Sequence, residues 1–284
     1  PDEINVSSDT LAPSDRDIAE RQAACQSFRH SGWSRGRALT AASLRRVGSA
    51  NRLERFEKCG STAWVLKASS GETRYRLATN RCRDRFCLPC YRESARVVLS
   101  NLRSALAGKV IRFLTLTLRS SPDTLSFLLD RSIAAFRKLR QMKQIKHALK
   151  GGVYFFEVTR NPKTGLWHPH LHVLFEGGYI PQPLLKSLWL KATGDSFIVD
   201  IRGFKNSDRA VGYCAKYVSK GIGCGISPES DCFDEVVQAF TGRRLFSTFG
   251  TMRGIKLSAV PEDLEQWEPV APLWKLLADA AAGS

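Results

Sequence analysis

The sequence contains no apolar run long enough to cross a membrane, and its first residues lack the basic, then apolar layout of a signal peptide. These two absences predict a soluble intracellular protein with no membrane partner. Apolar residues make up 43% of the 284 residues, which is typical of a folded chain and not of a disordered one. A chain of this length can form one large domain or two modest ones.

Acidic residues are scarce relative to basic ones. The chain has 43 lysines and arginines against 27 aspartates and glutamates, which gives a formal net charge of +16. A surface this basic attracts polyanions, because their counterions are released on binding. Nucleic acid is therefore the expected partner. The alternatives are a basic protein that is merely soluble, or one that meets an anionic lipid surface. Charge alone does not choose between DNA and RNA.

Histidine is also rare, yet three of the five histidines alternate within the stretch WHPHLHVLF, at positions 168, 170 and 172. The stretch is typical of a β-strand, in which alternate residues share a face. Pro169 favours a strand start, so His168 is expected at or beyond the end of the regular pairing. His170 and His172 are therefore the stronger pair. A hydrogen-bonded histidine cluster without a metal is the alternative.

A glutamate is expected beside these histidines. The runs VYFFEVTR and LWHPHLHVLF flank the turn-forming NPKTG and so predict a β-hairpin. With the turn centred between Lys163 and Thr164, Glu157 lies opposite His170 and shares its face. Two imidazoles and a carboxylate form a divalent-metal site with positions open for water and substrate. The candidate ligands are His170, His172, Glu157 and His168, the last two as alternatives for the third ligand.

The segment DRAVGYCAKYVSK, residues 208–220, predicts a helix with an unusual face. Four residues fall at i, i+3, i+4 and i+7 and therefore share one side: Tyr213, Lys216, Tyr217 and Lys220. A phenol becomes a useful nucleophile when a nearby cation or metal favours its phenolate form. The alternative is a helix whose tyrosine rings pack into the core and whose lysines extend to solvent.

Four of the eight cysteines have metal-ligand spacing. Cys82, Cys87 and Cys90 form the compact motif CRDRFCLPC, and Cys59 precedes it. In an intracellular chain such spacing indicates a metal before disulfides, and four thiolates suit a structural Zn²⁺. Cys25 is the alternative to Cys59 as fourth ligand, and free thiols are the alternative to a metal.

The order of predicted elements indicates an α+β fold, in which a central antiparallel sheet is covered by helices and a small cysteine-rich zinc module is attached. The elements after the cysteines are a strand at 110–118, one amphipathic helix at 122–147 that Gly151 and Gly152 end, the hairpin, a helix at 184–191, a strand at 197–201 and the helix at 208–220.

Together these motifs resemble those of the rolling-circle replication initiators (Rep proteins) of small bacterial plasmids, within the HUH endonuclease superfamily. The resemblance covers roughly residues 56–255. It rests on the order and spacing of four motifs: CG…CRDRFCLPC, FLTLTL, WHPHLHVLF and YCAKYVSK. The resemblance implies an HUH endonuclease fold, with a divalent Mg²⁺ or Mn²⁺ at His170 and His172.

The resemblance also implies a reaction. Tyr217 is the implied nucleophile, in the K-Y-x-x-K context that Lys216 and Lys220 complete. It nicks one DNA strand at a plasmid origin in the bacterial cytoplasm, keeps the 5′-phosphate as a phosphotyrosine, and frees a 3′-OH that primes synthesis. The strand is later rejoined. A host helicase and polymerase are the implied further partners.

Four regions are expected on this basis. They are an N-terminal basic and helical extension (1–55), a zinc-binding cysteine module with a connecting helix (56–108), an HUH nicking domain (109–260) and a C-terminal helix (261–284). Candidate segments for origin recognition are 35–55, 137–146 and Arg243–Arg244.

One position departs from the plasmid pattern. Many plasmid initiators have a glutamate four residues before the nucleophile, where this chain has Tyr213. Paired tyrosines are similar to bacteriophage initiators and to some rolling-circle transposases, which implies termination by strand transfer between the two phenols. An HUH-type single-strand transposase is therefore an alternative function. A non-catalytic, zinc-containing DNA-binding repressor is the alternative from another class.

Overall fold

The computed structural model describes residues 13–70, 73–204, 206–218, 226–260 and 265–283, without the side chains of 214 and 216–218. Its helices are α1 (Asp15–Arg29), α2 (Ser34–Val47), α3 (Ala50–Glu57), α4 (Leu88–Leu106), α5 (Leu125–Gln141), α6 (Lys143–Lys146), α7 (Gln182–Thr193), α8 (Ser207–Val218), α9 (Phe233–Phe240) and α10 (Leu273–Ala282). Its strands are β1 (Ala63–Ala68), β2 (Tyr75–Thr79), β3 (Ile111–Thr117), β4 (Leu149–Arg160), β5 (Trp167–Gly177), β6 (Val199–Gly203), β7 (Phe246–Gly250) and β8 (Trp267–Pro272). None of the helices in these ranges has the length and apolar character of a membrane span.

The chain divides into two compact units. The smaller contains the described residues of 1–34, 57–82 and 263–284, and its strands form an antiparallel sheet in the order β2-β1-β8. One face of this sheet buries Ala63 against Cys25 of α1 and Leu273 of α10. Strand β8 lies within the region where the sequence predicted only a C-terminal helix.

The larger unit contains the described residues of 35–56 and 83–262, and it carries a five-stranded antiparallel sheet in the order β6-β3-β5-β4-β7. Apolar residues of α4 and α8 pack on one face, against side chains such as Phe113, Phe155 and Leu174. Helix α5 packs on the opposite face, where Phe136 contacts Tyr154. The predicted α+β class, with antiparallel sheet covered by helices, is confirmed.

Strands β4 and β5 form the predicted hairpin. The turn between them is held by the Asn161 side chain, whose Oδ1 accepts hydrogen bonds from the backbone N–H groups of Lys163 (2.9 Å) and Thr164 (3.2 Å). This side-chain turn fixes the pairing register. Glu157 is consequently opposite His170, as the sequence predicted.

The single helix predicted over 122–147 is wrong. Met142 is extended (φ −66°, ψ 135°) and separates α5 from α6. Gly151 and Gly152 do not end a helix but lie inside β4. A Cβ on Gly152 would lie 2.2 Å from the carbonyl oxygen of Leu174, so glycine is required by the close approach of the neighbouring backbone.

Candidate active site

Three imidazoles form a row on the central strand β5. The rings of His170 and His172 are nearly parallel, with centroids 6.0 Å apart, and the rings of His168 and His170 are 4.4 Å apart. His168 does not lie outside the pairing, because it belongs to β5 and is opposite Thr159 of β4. Pro169 is tolerated because β3 ends at Thr117, opposite His170, so the missing N–H lies beyond that strand pair.

Two threonines of β3 orient the rings. Thr115 Oγ1 is 3.1 Å from His172 Nδ1, and Thr117 Oγ1 is 3.0 Å from His170 Nδ1. A hydroxyl can donate to or accept from an Nδ1 atom, and where it accepts from Nδ1–H the Nε2 atom keeps its lone pair for a ligand. Contacts of this kind to Nδ1 are the supporting contacts that metal-binding histidines commonly have.

Glu157 contacts one of the histidines directly. Its Oε2 is 2.8 Å from His172 Nε2, and the two side chains are only 14% and 4% exposed. Ligand atoms at adjacent positions of an octahedral ion, with bonds of about 2.1 Å, are about 3 Å apart. The donor set and spacing of this pair thus fit a divalent cation.

The other two histidines lie beside this pair. Among the described residues, the four cysteines form the only group of three or more donor side chains whose donor atoms all lie within 4.8 Å. The structure therefore brings Glu157 and His172 together and leaves His170 adjacent to them. Burial lowers the pKa of His168 below its usual 6.5, so this imidazole is neutral near pH 7 and can act as a ligand.

Helix α8 packs on the same face of the sheet as the histidines. The Tyr213 ring meets the Phe113 ring edge-on at 4.8 Å, and the Phe113 ring stacks on His172 at 5.5 Å. Tyr213 is thus half-buried and one ring away from His172. Tyr217 and Lys216 belong to α8 one turn later, but their side chains lie outside the described residues, as does the whole of Lys220.

The four predicted zinc ligands come together. Cys59, Cys82, Cys87 and Cys90 are buried, and their sulfur atoms lie within 4.8 Å of one another. Tetrahedral zinc with bonds of about 2.3 Å places its sulfur ligands about 3.8 Å apart, so this group could hold such an ion. Cys25 instead lies in the core with Ala63 and Leu273, which resolves the choice of the fourth cysteine in favour of Cys59.

The loop within the cysteine motif is anchored by a largely buried ion pair. Asp84 accepts from Arg52 Nε (2.6 Å) and from the backbone N–H of Phe86 (2.9 Å). The side chains of Arg52 and Asp84 are 13% and 7% exposed. Phe86 itself is buried against the Phe233 ring, with centroids 5.5 Å apart. The loop between Cys82 and Cys87 is therefore held by its central residues Asp84 and Phe86 as well as by its cysteines.

Two residues of this site were missed by the sequence reasoning. Thr115 and Thr117 alternate in FLTLTL and so share one face of β3. That alternation was a usable signal, since hydroxyls on a strand next to a histidine strand are natural partners for imidazole nitrogens.

The comparisons with known proteins agree with the motifs. The sequence profile of the replication protein family Rep_1 matches residues 74–272, which is more than half of the chain. The chain therefore belongs to this family of replication proteins. The resemblance to plasmid replication initiators is confirmed at this level.

Several bacterial relatives carry the name Protein rep. The chain is 29% identical to the one from Staphylococcus aureus over 198 residues, which are 62% of this chain and 85% of that protein. It is 34% identical over 142 residues to one from a Bacillus species (44% and 46%), and 28% identical over 155 residues to one from Streptococcus pneumoniae (51% and 45%). The chain thus spans under half the length of the latter two relatives. No solved structure matches it significantly.

Proposed function

We propose that this protein is a metal-dependent DNA endonuclease and strand transferase that starts rolling-circle replication at a plasmid origin in the bacterial cytoplasm. The observation that carries the proposal is the Glu157–His172 contact beneath the helix that bears Tyr213 and Tyr217. Membership of the replication protein family and the charge of +16 support DNA as the substrate.

Each residue of the histidine face has a role in this proposal. Glu157 and His172, with His170 and with His168 as a further candidate, would hold Mg²⁺ or Mn²⁺. Such an ion polarises a scissile phosphate when it is bound. Thr115 and Thr117 would hold the His172 and His170 rings through their Nδ1 atoms, and the fully buried Phe113 ring lies between His172 and Tyr213.

The covalent step belongs to Tyr217. Its phenol oxygen loses a proton and attacks the scissile phosphorus, forming a tyrosine–phosphate bond as the bond from phosphorus to the 3′ oxygen breaks. The 3′ oxygen takes up a proton and becomes the primer. Lys216 and Lys220 would favour the phenolate electrostatically. Tyr213, one helical turn earlier, would attack the regenerated origin and end the cycle.

The test uses single-stranded oligonucleotides that tile the plasmid origin, incubated with the protein and Mn²⁺. We expect a shortened product with a 3′-OH and an SDS-resistant protein–DNA adduct. Tyr217→Phe should form no adduct, whereas Tyr213→Phe should nick once and fail in strand transfer. Full adduct in Tyr217→Phe with none in Tyr213→Phe would show that the primary nucleophile is Tyr213.

The alternatives give different products in the same assay. A zinc-containing repressor would shift the mobility of the oligonucleotide without cleaving it. A transposase would join the cleaved strand to an unrelated target strand as well as to a regenerated origin.

A further inference from the structure

A large groove in the larger unit lies outside the residues assigned to chemistry. It has a volume of about 1100 Å³ and is bordered by α4, by β7 and by the segment 253–259. Six basic residues line it: Arg83, Arg85, Arg243, Arg244, Arg253 and Lys256. Asp84 is the one acidic residue among the described residues of its lining.

Most of this positive charge has no internal partner. Asp84 is neutralised by Arg52, and Arg243 is held by Asp130. The side chains of Arg83, Arg244, Arg253 and Lys256 are exposed, and none of the four forms an ion pair within the described part of the chain. Exposed like charges that converge on a concavity repel one another, so such an arrangement favours a polyanionic ligand.

A fifth basic side chain, that of Arg85, adds to the positive charge of the groove. Arg85 donates through Nη2 to the carbonyl oxygen of Arg243 (2.8 Å), while its buried Nη1 has no hydrogen-bond partner among the residues that the structure describes. Burial lowers the pKa of Arg85, while the neighbouring Asp84 carboxylate acts in the opposite direction.

The backbone at Arg83 is also unusual. Its φ of +56° is the only positive value at a non-glycine residue in the described chain. This left-handed conformation is costly for an arginine and persists only where neighbouring contacts impose it. Here the adjacent Asp84 is fixed by Arg52, and the constrained Arg83 side chain lies at the groove.

The groove adjoins the histidine face. Phe155 lines it and lies opposite His172 in the strand pairing, two residues before Glu157 on the same face of β4. The lining of the groove therefore reaches to within two strand positions of Glu157.

The dimensions and lining favour a single strand. Small-molecule pockets have volumes of about 300–1,000 Å³, so a groove of about 1100 Å³ has room for a few nucleotides of one strand. The half-buried rings of Tyr91 and Phe246 offer stacking surfaces, and the hydroxyls of Ser94, Ser247 and Thr248 can donate to phosphates.

We propose that this basic groove binds the single DNA strand on one side of the scissile phosphate. The proposal rests on the proposed function for the position of the scissile phosphate, but the binding itself requires no cleavage. Arg83, Arg244, Arg253 and Lys256 contact successive phosphates, and bases lie against the aromatic rings.

The test measures equilibrium binding of a fluorescent single-stranded oligonucleotide by anisotropy, without Mg²⁺ or Mn²⁺, over a series of NaCl concentrations. The double variant Arg244→Gln/Arg253→Gln should bind several-fold more weakly. The slope of log affinity against log salt should fall by about 1.4, at about 0.7 for each lost phosphate contact on a single strand. The matched control is Lys186→Gln/Lys191→Gln, which removes the same charge from the exposed surface of α7.

The proposal is overturned if the control weakens binding equally, or if the groove variant loses affinity for duplex DNA but not for single strands.

The cleavage reaction is tested separately from binding. In the presence of Mn²⁺, the groove variant should raise the DNA concentration for half-maximal adduct formation and leave the saturated rate unchanged. If neither the native protein nor any variant forms an adduct, but the groove variant still binds single strands more weakly than the native protein, the proposed function fails and the groove proposal is supported. If adducts form and the groove variant binds as the native protein does, only the groove proposal fails.

Discussion

The hydroxyls of Thr115 and Thr117 determine how β5 presents its imidazoles. Both hydroxyls lie within hydrogen-bond distance of an Nδ1 atom, on the side of each ring away from Nε2. Loss of such supporting contacts typically costs metalloproteins about 10–100-fold in metal affinity or activity. The metal affinity of the proposed site therefore depends partly on residues that do not bind the metal.

Thr117→Val tests this dependence. Valine keeps the shape of threonine but cannot pair with His170 Nδ1, so the ring loses its orientation. We expect the Mn²⁺ concentration for half-maximal adduct formation to rise about 10–100-fold, with a nearly native rate at saturating Mn²⁺. Titration of adduct formation with Mn²⁺ measures both quantities.

Thr159→Val is the matched control for this substitution. The Thr159 hydroxyl donates to the backbone oxygen of His168 and does not touch an imidazole nitrogen. It should leave the Mn²⁺ dependence as in the native protein. An unchanged Mn²⁺ dependence in Thr117→Val would rule out a role for the hydroxyl in orienting His170.

At the scale of elements, the hairpin β4–β5 was predictable and the backbone packing around it was not. The turn sequence NPKTG and the flanking alternation determine the register locally, so Glu157 could be placed opposite His170. Gly151 and Gly152 are ambiguous in sequence, because glycine both ends helices and allows close backbone approach. Only the positions of the neighbouring strands decide between these meanings.

Gly152→Ala should destabilise the protein severely. The new Cβ would lie 2.2 Å from the Leu174 carbonyl oxygen and 2.8 Å from Phe175 Cα, so the two strands must separate. We expect a loss of more than about 3 kcal/mol in the free energy of unfolding, measured with urea. Gly178→Ala is the control, since no atom of the described part of the chain lies within 4 Å of its Cβ position, and it should change stability little. Equal stability of the two variants would contradict the packing at Gly152.

The cysteine module makes a second prediction at this scale, concerning zinc content. Cys59→Ser should reduce bound zinc from about one ion per chain to almost none and lower the unfolding temperature, because a four-thiolate site loses a ligand. Cys25→Ser should keep its zinc. Burial raises the pKa of the Cys25 thiol, so this side chain stays protonated and is a poor ligand.

Metal analysis of the two purified variants decides between the cysteines. Retention of zinc by Cys59→Ser, with loss from Cys25→Ser, would reverse the assignment of the fourth ligand.

At the scale of the site as a whole, the sequence identified the candidate residues but did not predict the distances between their side chains. Spacing alone indicated the ligands on β5, the helical face of Tyr213 and the four clustered cysteines. The Phe113 ring between Tyr213 and His172 could not be predicted, because it depends on how α8 packs across the sheet. Side-chain contacts between distant elements follow from tertiary packing, which local patterns do not specify.

The whole larger unit should lose stability in acid through its arginine–aspartate contacts. Hydrogen bonds from Arg243, Arg131 and Arg46 lower the pKa values of Asp130, Asp195 and Asp234 below the usual 3.8. The unfolded chain therefore binds these protons at higher pH than the folded protein does. The stabilisation is complete above pH 3.8 and is lost as the pH falls below it.

The triple variant Asp130→Asn/Asp195→Asn/Asp234→Asn tests whether these aspartates cause the loss of stability in acid. Its stability should be somewhat lower at neutral pH and should fall less steeply than that of the native protein below pH 3.8. The effect is modest, because these contacts are partly exposed. Urea midpoints measured down the pH series provide the comparison. An equally steep decline in both proteins would show that other groups cause the acid sensitivity.

The tight backbone packing around β4 has a consequence for how related sequences can vary. A Cβ on Gly250 would lie 2.0 Å from the Lys150 carbonyl oxygen, just as one on Gly152 would collide with β5. No other amino acid can replace Gly152 or Gly250 unless the neighbouring strands move apart. Gly178, by contrast, can be replaced without such a clash. A glycine held at the position of Gly152, twenty residues before a histidine at that of His172, would therefore mark distant chains built on this hairpin, including those whose tyrosine helix has diverged.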